Sequence, residues 1–168
     1  MEKENRVSKH EYYLDIAETV LERSTCLRRK YGAVIVKNDE VISTGYNGSA
    51  RGDINCIDAG KCEREEHNIP KGQRYEMCKA VHAEQNAIIS ASRRDMIDAT
   101  LYIVGKEVAT GEYANGHPCL ICERMIRNAG ISKIVMRKDK NTKIIIDNVG
   151  DPIETYSTEV NSIEYGEC

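Results

Sequence analysis

The sequence predicts an α/β domain in which helices pack on a mixed β-sheet. Apolar residues recur at helical spacing in three separate stretches, and short β-rich runs lie between them. Three of the later elements follow one another as strand, helix and strand, which implies a parallel pair joined by a right-handed crossover. The 168 residues contain no visible repeat or linker, so we expect one domain over 1–168.

The first half of the chain predicts a helix followed by a β-hairpin. Ser8 and Glu11 fit a capping box, and the apolar residues that follow at helical spacing predict a helix over 8–24. Two β-rich runs at 33–36 and 41–44 flank a polar turn, which is typical of a hairpin. From 45 to about 79 no periodicity survives, and so long a stretch is usually functional or held by a metal.

The second half predicts two more helices and several strands, interrupted by one polar loop. Gly130 is a stop signal for the second of these helices. In chain order, the expected elements are a helix over 82–92, a strand over 100–104, a loop over 105–117, a helix over 119–128, and strands over 133–136, 144–146 and, more weakly, 160–165.

The composition excludes several classes of protein. A net charge of −3 and a pI near 5.9 argue against a surface that tracks the phosphates of DNA or RNA. No run of ~18 apolar residues could cross a membrane, and the charged N-terminus lacks the apolar core of a signal peptide, so we expect a cytoplasmic protein. Seven cysteines in such a chain indicate metal or thiol chemistry rather than disulfides.

One pair of motifs has the spacing of a metal site. Cys119 and Cys122 are three residues apart at the start of a predicted helix, so they share a face, and the helix dipole favours their thiolates. His82 begins the other late helix. If both helices cover one face of the sheet, three ligands converge, and a zinc ion with three protein ligands keeps one position for a water whose pKa falls towards ~7.

Glu84 gives this predicted site a catalytic character. It follows His82 by two residues, off the metal but close to the water, where it could take up and pass on protons. A structural zinc site needs four protein ligands and has no use for this carboxylate. The alternatives are a solvated glutamate in the first helical turn, and a redox pair or half a zinc finger for the two cysteines.

Together the motifs form the His-x-Glu and Pro-Cys-x-x-Cys signature of zinc-dependent nucleobase deaminases. Over roughly residues 12–137 the chain resembles the zinc-dependent cytidine/deoxycytidylate deaminase superfamily, and the TGYNGS segment favours the deoxycytidylate branch. The resemblance rests on segments 24–28 (STCLR), 32–36 (GAVIV), 44–49 (TGYNGS), 82–88 (HAEQNAI), 101–103 (LYI), 118–122 (PCLIC) and 128–131 (NAGI).

The resemblance implies a three-layer α/β/α fold with a central mixed five-stranded sheet. It implies zinc on His82, Cys119 and Cys122 with Glu84 as proton shuttle, and the hydrolytic deamination of deoxycytidylate (dCMP) to deoxyuridylate (dUMP), which supplies the thymidylate pathway. Family members are often homohexamers that dCTP activates and dTTP inhibits, so the resemblance also implies an oligomer with nucleotide effectors.

The resemblance implies substrate contacts as well. Asn47 matches the family's sugar-contacting Asn, and Arg28 lies where family members place a phosphate-contacting or nucleotide-contacting residue. The alternatives are a turn-forming Asn and a surface Arg. The loop over 105–117 is longer than family members usually have, so Tyr113 or His117 would contact the base unless the loop is an external flap.

A second group of cysteines lies in the insert at about 50–80. Some family members carry a structural zinc on cysteines that match Cys26 and Cys56, with two further ligands from this insert, and a metal would order so long and polar a segment. We expect Cys62 and Cys78 to complete the site, with His67 as the competitor. The alternative is a set of ordinary reduced cysteines.

Two other functions remain open on the sequence. One is a related deaminase that acts on a free nucleoside, on dCTP or on an adenosine in transfer RNA, although the acidic pI weighs against RNA. The other is a non-catalytic zinc scaffold that binds nucleotides or a partner, which Glu84 and the missing fourth ligand oppose.

Overall fold

The computed structural model of the protein describes residues 6–70 and 73–149. The strand expected at 160–165 lies outside them, and no helix within them is long and apolar enough to cross a bilayer. The elements are α1 Lys9–Leu21, β1 Arg29–Lys37, β2 Glu40–Tyr46, β3 Gly48–Ser49, α2 Cys56–Ala59, α3 Glu63–Glu66, a 3-10 turn Tyr75–Met77, β4 Ala80–Val81, α4 Ala83–Ile89, α5 Arg93–Met96, β5 Thr100–Glu107, α6 Leu120–Ala129, β6 Lys133–Arg137 and β7 Lys143–Ile146.

The central sheet has five strands in the order β2-β1-β5-β6-β7. Strands β5 and β6 are parallel, as the strand–helix–strand order predicts, and the other neighbours in this sheet are antiparallel. The mixed five-stranded sheet expected from the sequence is therefore confirmed.

Helices cover both faces of this sheet. Along β1, Ala33 and Ile35 pack in the cluster that also holds buried residues of α4, α5 and α6, whereas Val34 and Val36 pack in the cluster that holds α1. Because both faces are covered, the middle of β1 is buried without the alternation of a half-exposed strand. The result is the expected three-layer α/β/α arrangement.

The capping box predicted for α1 forms only in part. The Ser8 hydroxyl accepts a hydrogen bond from the Glu11 amide at 3.2 Å, so Ser8 is the N-cap. The Glu11 carboxylate instead accepts from Arg137 at 2.9 Å and from Lys143 at 3.2 Å. The Glu11 carboxylate therefore pairs with the buried Arg137 at the end of β6 and does not cap the helix. Helix α1 ends at Leu21, before the expected residue 24.

The predicted hairpin is present with longer strands. Asn38 and Asp39 have φ values of 49° and 64°, and two left-handed residues in a row are typical of the tight turn that joins twisted antiparallel strands. Because β1 already begins at Arg29, it offers a partner as far as Glu107, and β5 extends to that residue. The predicted loop over 105–117 is therefore wrong for its first three residues.

The aperiodic segment carries small elements that place the start of α4. Strands β3 and β4 form a two-stranded sheet in which Gly48 pairs with Val81 and Ser49 with Ala80. Strand β4 ends directly before His82, which is the N-cap of α4. This short pairing therefore fixes His82 next to the end of β2, far from it in sequence.

Candidate active site

Two helices begin at the same point on one face of the sheet. His82 is the N-cap of α4, and Cys119 is the N-cap of α6. Pro118 stands before the N-cap and is buried, so it precedes the helix rather than forming its first residue. Both helices present their first-turn amides towards this point, which favours negative charge there.

The three predicted metal ligands meet at these helix starts. His82 Nδ1 lies 3.1 Å from Cys122 Sγ and 3.5 Å from Cys119 Sγ. In residues 6–70 and 73–149, this is the only group in which at least three histidine, cysteine or acidic ligand atoms all lie within 4.8 Å of one another. Two sulfurs and an imidazole nitrogen suit zinc, and three protein donors leave a coordination position open.

Glu84 lies in the first turn of α4 beside this cluster. Its side chain is only 7% exposed, and it lines the same cavity as His82 and Cys119. Burial raises the pKa of the Glu84 carboxyl, and the nearby Cys119 adds to this while His82 opposes it. A carboxyl with a raised pKa is suited to exchange protons near neutral pH.

Asn47 lines the cavity and also ties its wall together. Its Oδ1 accepts hydrogen bonds from the Ser24 hydroxyl at 2.6 Å and from the Tyr31 amide at 2.8 Å. Its Nδ2 donates to the Arg29 carbonyl at 2.9 Å. An amide carries two Nδ2 hydrogens, and among the described residues only one of them has an acceptor.

Arg28 also lines the cavity. Its Nε lies 3.3 Å from an oxygen of Glu65, a residue of α3 that is 62% exposed. An ion pair with so exposed a partner contributes little to stability and is readily exchanged for another anion.

The four cysteines of the second predicted site line the same cavity, but no three of their sulfurs lie within 4.8 Å of one another. Burial raises the pKa of the Cys56 and Cys78 thiols, and the neighbouring thiols of this group raise both further. The Arg28 amide lies 3.4 Å from Cys26 Sγ and donates to it. The competitor His67 is 57% exposed, pairs with Glu63 at 3.7 Å and does not line the cavity.

The two residues singled out in the loop over 105–117 lie on opposite faces of the sheet. His117 lines the cavity. Tyr113 forms a bridge with Lys106 and packs against the cluster that holds α1, where its hydroxyl donates to Glu18 at 3.0 Å. Because the bridge turns Tyr113 to the α1 face, the sheet separates it from Glu84.

Arg64 is a cavity residue that the sequence does not single out. Glutamates flank it on both sides in a polar stretch, which looks like a solvated segment. It is nevertheless only 3% exposed and lines the cavity together with Tyr31. No local pattern could have found it, because its burial depends on how the insert folds back on itself.

Comparisons with known proteins agree with this geometry. The profile of the cytidine and deoxycytidylate deaminase zinc-binding region matches residues 7–138. The deoxycytidylate deaminase of Schizosaccharomyces pombe is 32% identical over 94% of this chain and 47% of its own length. The deoxycytidylate deaminase of Mycobacterium phage D29 is 37% identical over 77% of this chain and 94% of its own length. The chain thus spans about half the yeast relative and nearly all of the phage relative.

A solved structure is similar as well. The dCMP deaminase of cyanophage S-TIM5 in complex with dCMP and dUMP is 26% identical, with a TM-score of 0.53 over 79% of this chain and 84% of its own. The three-layer fold, the zinc-binding region and the convergence of His82, Cys119 and Cys122 therefore point to one family.

Proposed function

The chain belongs to the cytidine and deoxycytidylate deaminase zinc-binding family, and on that premise we propose that it hydrolyses deoxycytidylate to deoxyuridylate and ammonia. The observation that carries the chemistry is the buried Glu84 beside His82, Cys119 and Cys122. The choice of substrate is supported by relatives that are named deoxycytidylate deaminase and by the S-TIM5 enzyme, which was solved with dCMP and dUMP.

His82, Cys119 and Cys122 would hold zinc, which supplies a Lewis acid that lowers the pKa of water. Glu84 moves the protons of the reaction. It accepts a proton from the water that adds to C4 of cytosine and donates it to N3 of the ring. It then carries the second proton of that water to the exocyclic amine, the C4–N bond breaks, and ammonia leaves. Burial suits Glu84 to this role because it holds the pKa of the carboxyl above its ordinary value.

Asn47 and Arg28 are the proposed substrate contacts. The remaining Nδ2 hydrogen of Asn47 would be donated to a sugar hydroxyl, and the bonds from Ser24 and Tyr31 keep the amide in this orientation. Arg28 would exchange its exposed partner Glu65 for the substrate phosphate. Tyr113 is not included, because it lies on the α1 face of the sheet.

Ammonia release on a panel of nucleotides tests the proposal. We expect a much higher kcat/KM for dCMP than for deoxycytidine, because a site built for a phosphate leaves donors unpaired when the phosphate is missing. The panel includes dCTP as the alternative nucleotide. Equal efficiency on all three compounds would contradict specificity for the monophosphate. Activity on adenosine compounds alone would indicate the related-deaminase alternative, and no ammonia from any compound would indicate the non-catalytic scaffold.

We further propose the assembly and regulation that the resemblance implies: a homohexamer that dCTP activates and dTTP inhibits. Light scattering gives the subunit number, and dCMP turnover with each triphosphate gives the response. A monomer, or a flat response to both triphosphates, contradicts the corresponding part.

We also propose that Cys26, Cys56, Cys62 and Cys78 hold a second, structural zinc. All four thiols line one cavity, and four sulfur donors fill a tetrahedral zinc and leave no open position. The Arg28 amide already donates to Cys26. The buried hydroxyl of Thr25 has no hydrogen-bond partner among the described residues, and the buried hydroxyl of Ser49 faces the Cys56 thiol, whose pKa it lowers. Such donors commonly support metal-bound thiolates from the second coordination shell.

Elemental analysis tests the second site. We expect close to two zinc ions per wild-type chain, and Cys56→Ser should remove one and lower the melting temperature because the insert loses its metal. His67→Gln is the matched control and should keep both ions. One zinc in the wild-type protein, or loss of zinc in His67→Gln, contradicts this ligand set.

A further inference from the structure

Arg64 is a buried cation in α3, a one-turn helix of the insert. Its side chain is 3% exposed, its Nη2 donates to the carbonyls of Pro70 and Gln73 at 3.0 Å each, and its guanidinium carbon lies 5.0 Å from the centre of the Tyr75 ring. These contacts hold the plane of the guanidinium in place. They satisfy the donors of one nitrogen with neutral carbonyl groups of the described residues.

No carboxylate within residues 6–70 and 73–149 pairs with Arg64. The glutamates beside it pair elsewhere: Glu63 with Lys61, His67 and Lys79, Glu65 with Arg28, and Glu66 with Lys61. Arg64 Nε is also buried without an acceptor among the described residues. A buried charge with only neutral partners opposes folding, so its retention points to anionic groups in the same cavity, and the thiolates of the proposed second zinc site and a bound nucleotide are both of this kind.

The position of Arg64 indicates which anion this is. Arg64 lines the same cavity as His82 and Glu84, and its neighbour Glu65 pairs with Arg28, which lines that cavity too. Two guanidinium groups from different segments therefore face the space in which the proposed substrate binds. Arginine suits such a site because its planar donors match the oxygens of a phosphate.

We propose that Arg64 binds the 5′-phosphate of the nucleotide in the active site and thereby selects nucleotides over nucleosides. The proposal rests on the proposed function, which supplies the monophosphate substrate. Pro70, Gln73 and Tyr75 act as positioning residues, because they fix the guanidinium before the substrate arrives and so reduce the entropy lost on binding.

Calorimetry with the product pair dUMP and deoxyuridine tests the proposal, since the two ligands differ only in the phosphate. In Arg64→Gln we expect the Kd of dUMP to rise about tenfold or more, as for a lost charge-assisted contact, while the Kd of deoxyuridine changes less than about twofold. Arg74→Gln is the matched control: Arg74 lies in the same insert, is exposed and pairs only with Glu76 among the described residues, so both affinities should stay as in the wild type.

Zinc content and melting temperature are measured on each variant. An equal rise in the Kd of dUMP and of deoxyuridine, with or without loss of zinc, would show that Arg64 only holds the insert together and would overturn the proposal. An unchanged Kd of dUMP would overturn it as well. If Arg64→Gln does not fold, Arg64→Lys replaces it in the comparison of dUMP with deoxyuridine. Lysine keeps the charge but lacks the planar donors, so the Kd of dUMP should again rise more than that of deoxyuridine. A wild-type protein that binds neither ligand and releases no ammonia from dCMP would instead remove the proposed function itself.

Discussion

Glu84 is the only buried acidic residue in the part of the chain that the structure describes. Burial of a carboxyl opposes folding because it removes the charged form from water. The proposed proton transfer explains why a carboxyl is kept in the first turn of α4, beside His82, Cys119 and Cys122.

We expect Glu84→Gln to lower kcat for deamination at least ~10²-fold, as for a removed general acid/base, while the zinc content stays that of the wild type. The melting temperature should not fall, since the amide keeps the shape and removes a buried ionisable group. Turnover with dCMP, elemental analysis and calorimetry provide the three measurements.

His82→Ala is the comparison for this variant and should lose one zinc per chain together with the activity. If Glu84→Gln kept most of the wild-type rate, the assignment of the proton shuttle would be wrong.

At the scale of the elements, two glycines let the helix layers approach the sheet. A Cβ at Gly45 would overlap the Ala83 carbonyl and the Ala87 amide of α4, and a Cβ at Gly32 would overlap the Ala17 carbonyl of α1. Gly45 stands opposite Ala33 in the hairpin register, on the face that carries the metal ligands. These glycines therefore set the distance of each helix from the strands.

We expect Gly45→Ala and Gly32→Ala each to lower the free energy of unfolding by about 1–3 kcal/mol, because the overlap is with rigid backbone. Only Gly45→Ala should also reduce kcat/KM strongly, since it displaces the helix that carries Glu84. Urea unfolding and dCMP turnover on both variants check this. An equal loss of activity in the two variants would show that the α4 position is not what limits catalysis.

At the scale of the whole molecule, one buried cation joins both ends of the described chain. Arg137 at the end of β6 is 5% exposed and pairs with Glu11 and Asp15 at 2.9 Å and with Glu18 at 2.5 Å. Glu18 also pairs with Lys106 of β5 at 2.5 Å. Arg137 opens the basic run 137–140, and its contacts hold α1 on the sheet.

These contacts make stability depend on acid pH. Burial alone would raise the pKa of both Glu11 and Glu18. Hydrogen bonds from Lys143 and Arg137 nevertheless hold the pKa of Glu11 below its ordinary value of 4.5. Hydrogen bonds from Lys106, Arg137 and Tyr113 do the same for Glu18. The folded protein therefore binds these protons more weakly than the unfolded chain does. The stabilisation is present above about pH 4.5 and is lost as the pH falls below it.

We expect Arg137→Met to lower the free energy of unfolding at pH 7 by about 2 kcal/mol or more, because the carboxylates of α1 lose their buried partner. The further loss on going from pH 7 to pH 4 should be smaller in this variant than in the wild type. Urea unfolding at both pH values measures this. Exposed Arg94→Met is the control and should follow the wild type, and parallel pH curves for Arg137→Met and the wild type would contradict the explanation.

The sequence by itself determined the order and type of the main elements and singled out His82, Cys119 and Cys122, which the fold brings together. The N-cap at Ser8, the stop at Gly130 and the spacing of Cys119 and Cys122 are encoded within a few residues, so they can be recognised without the fold. The comparisons confirm the family, the fold class and the zinc-binding region that these local signals predicted.

The tertiary structure alone decided which side chains share a cavity. Tyr113 goes to the α1 face because a bridge to Lys106 turns it there, His67 stays outside, and Arg64 is buried because the insert folds over it. The Glu11 carboxylate leaves its helix cap for Arg137, which lies 126 residues away in sequence. Each outcome depends on a competition between partners that only folding brings together, and local periodicity carries no information about such partners.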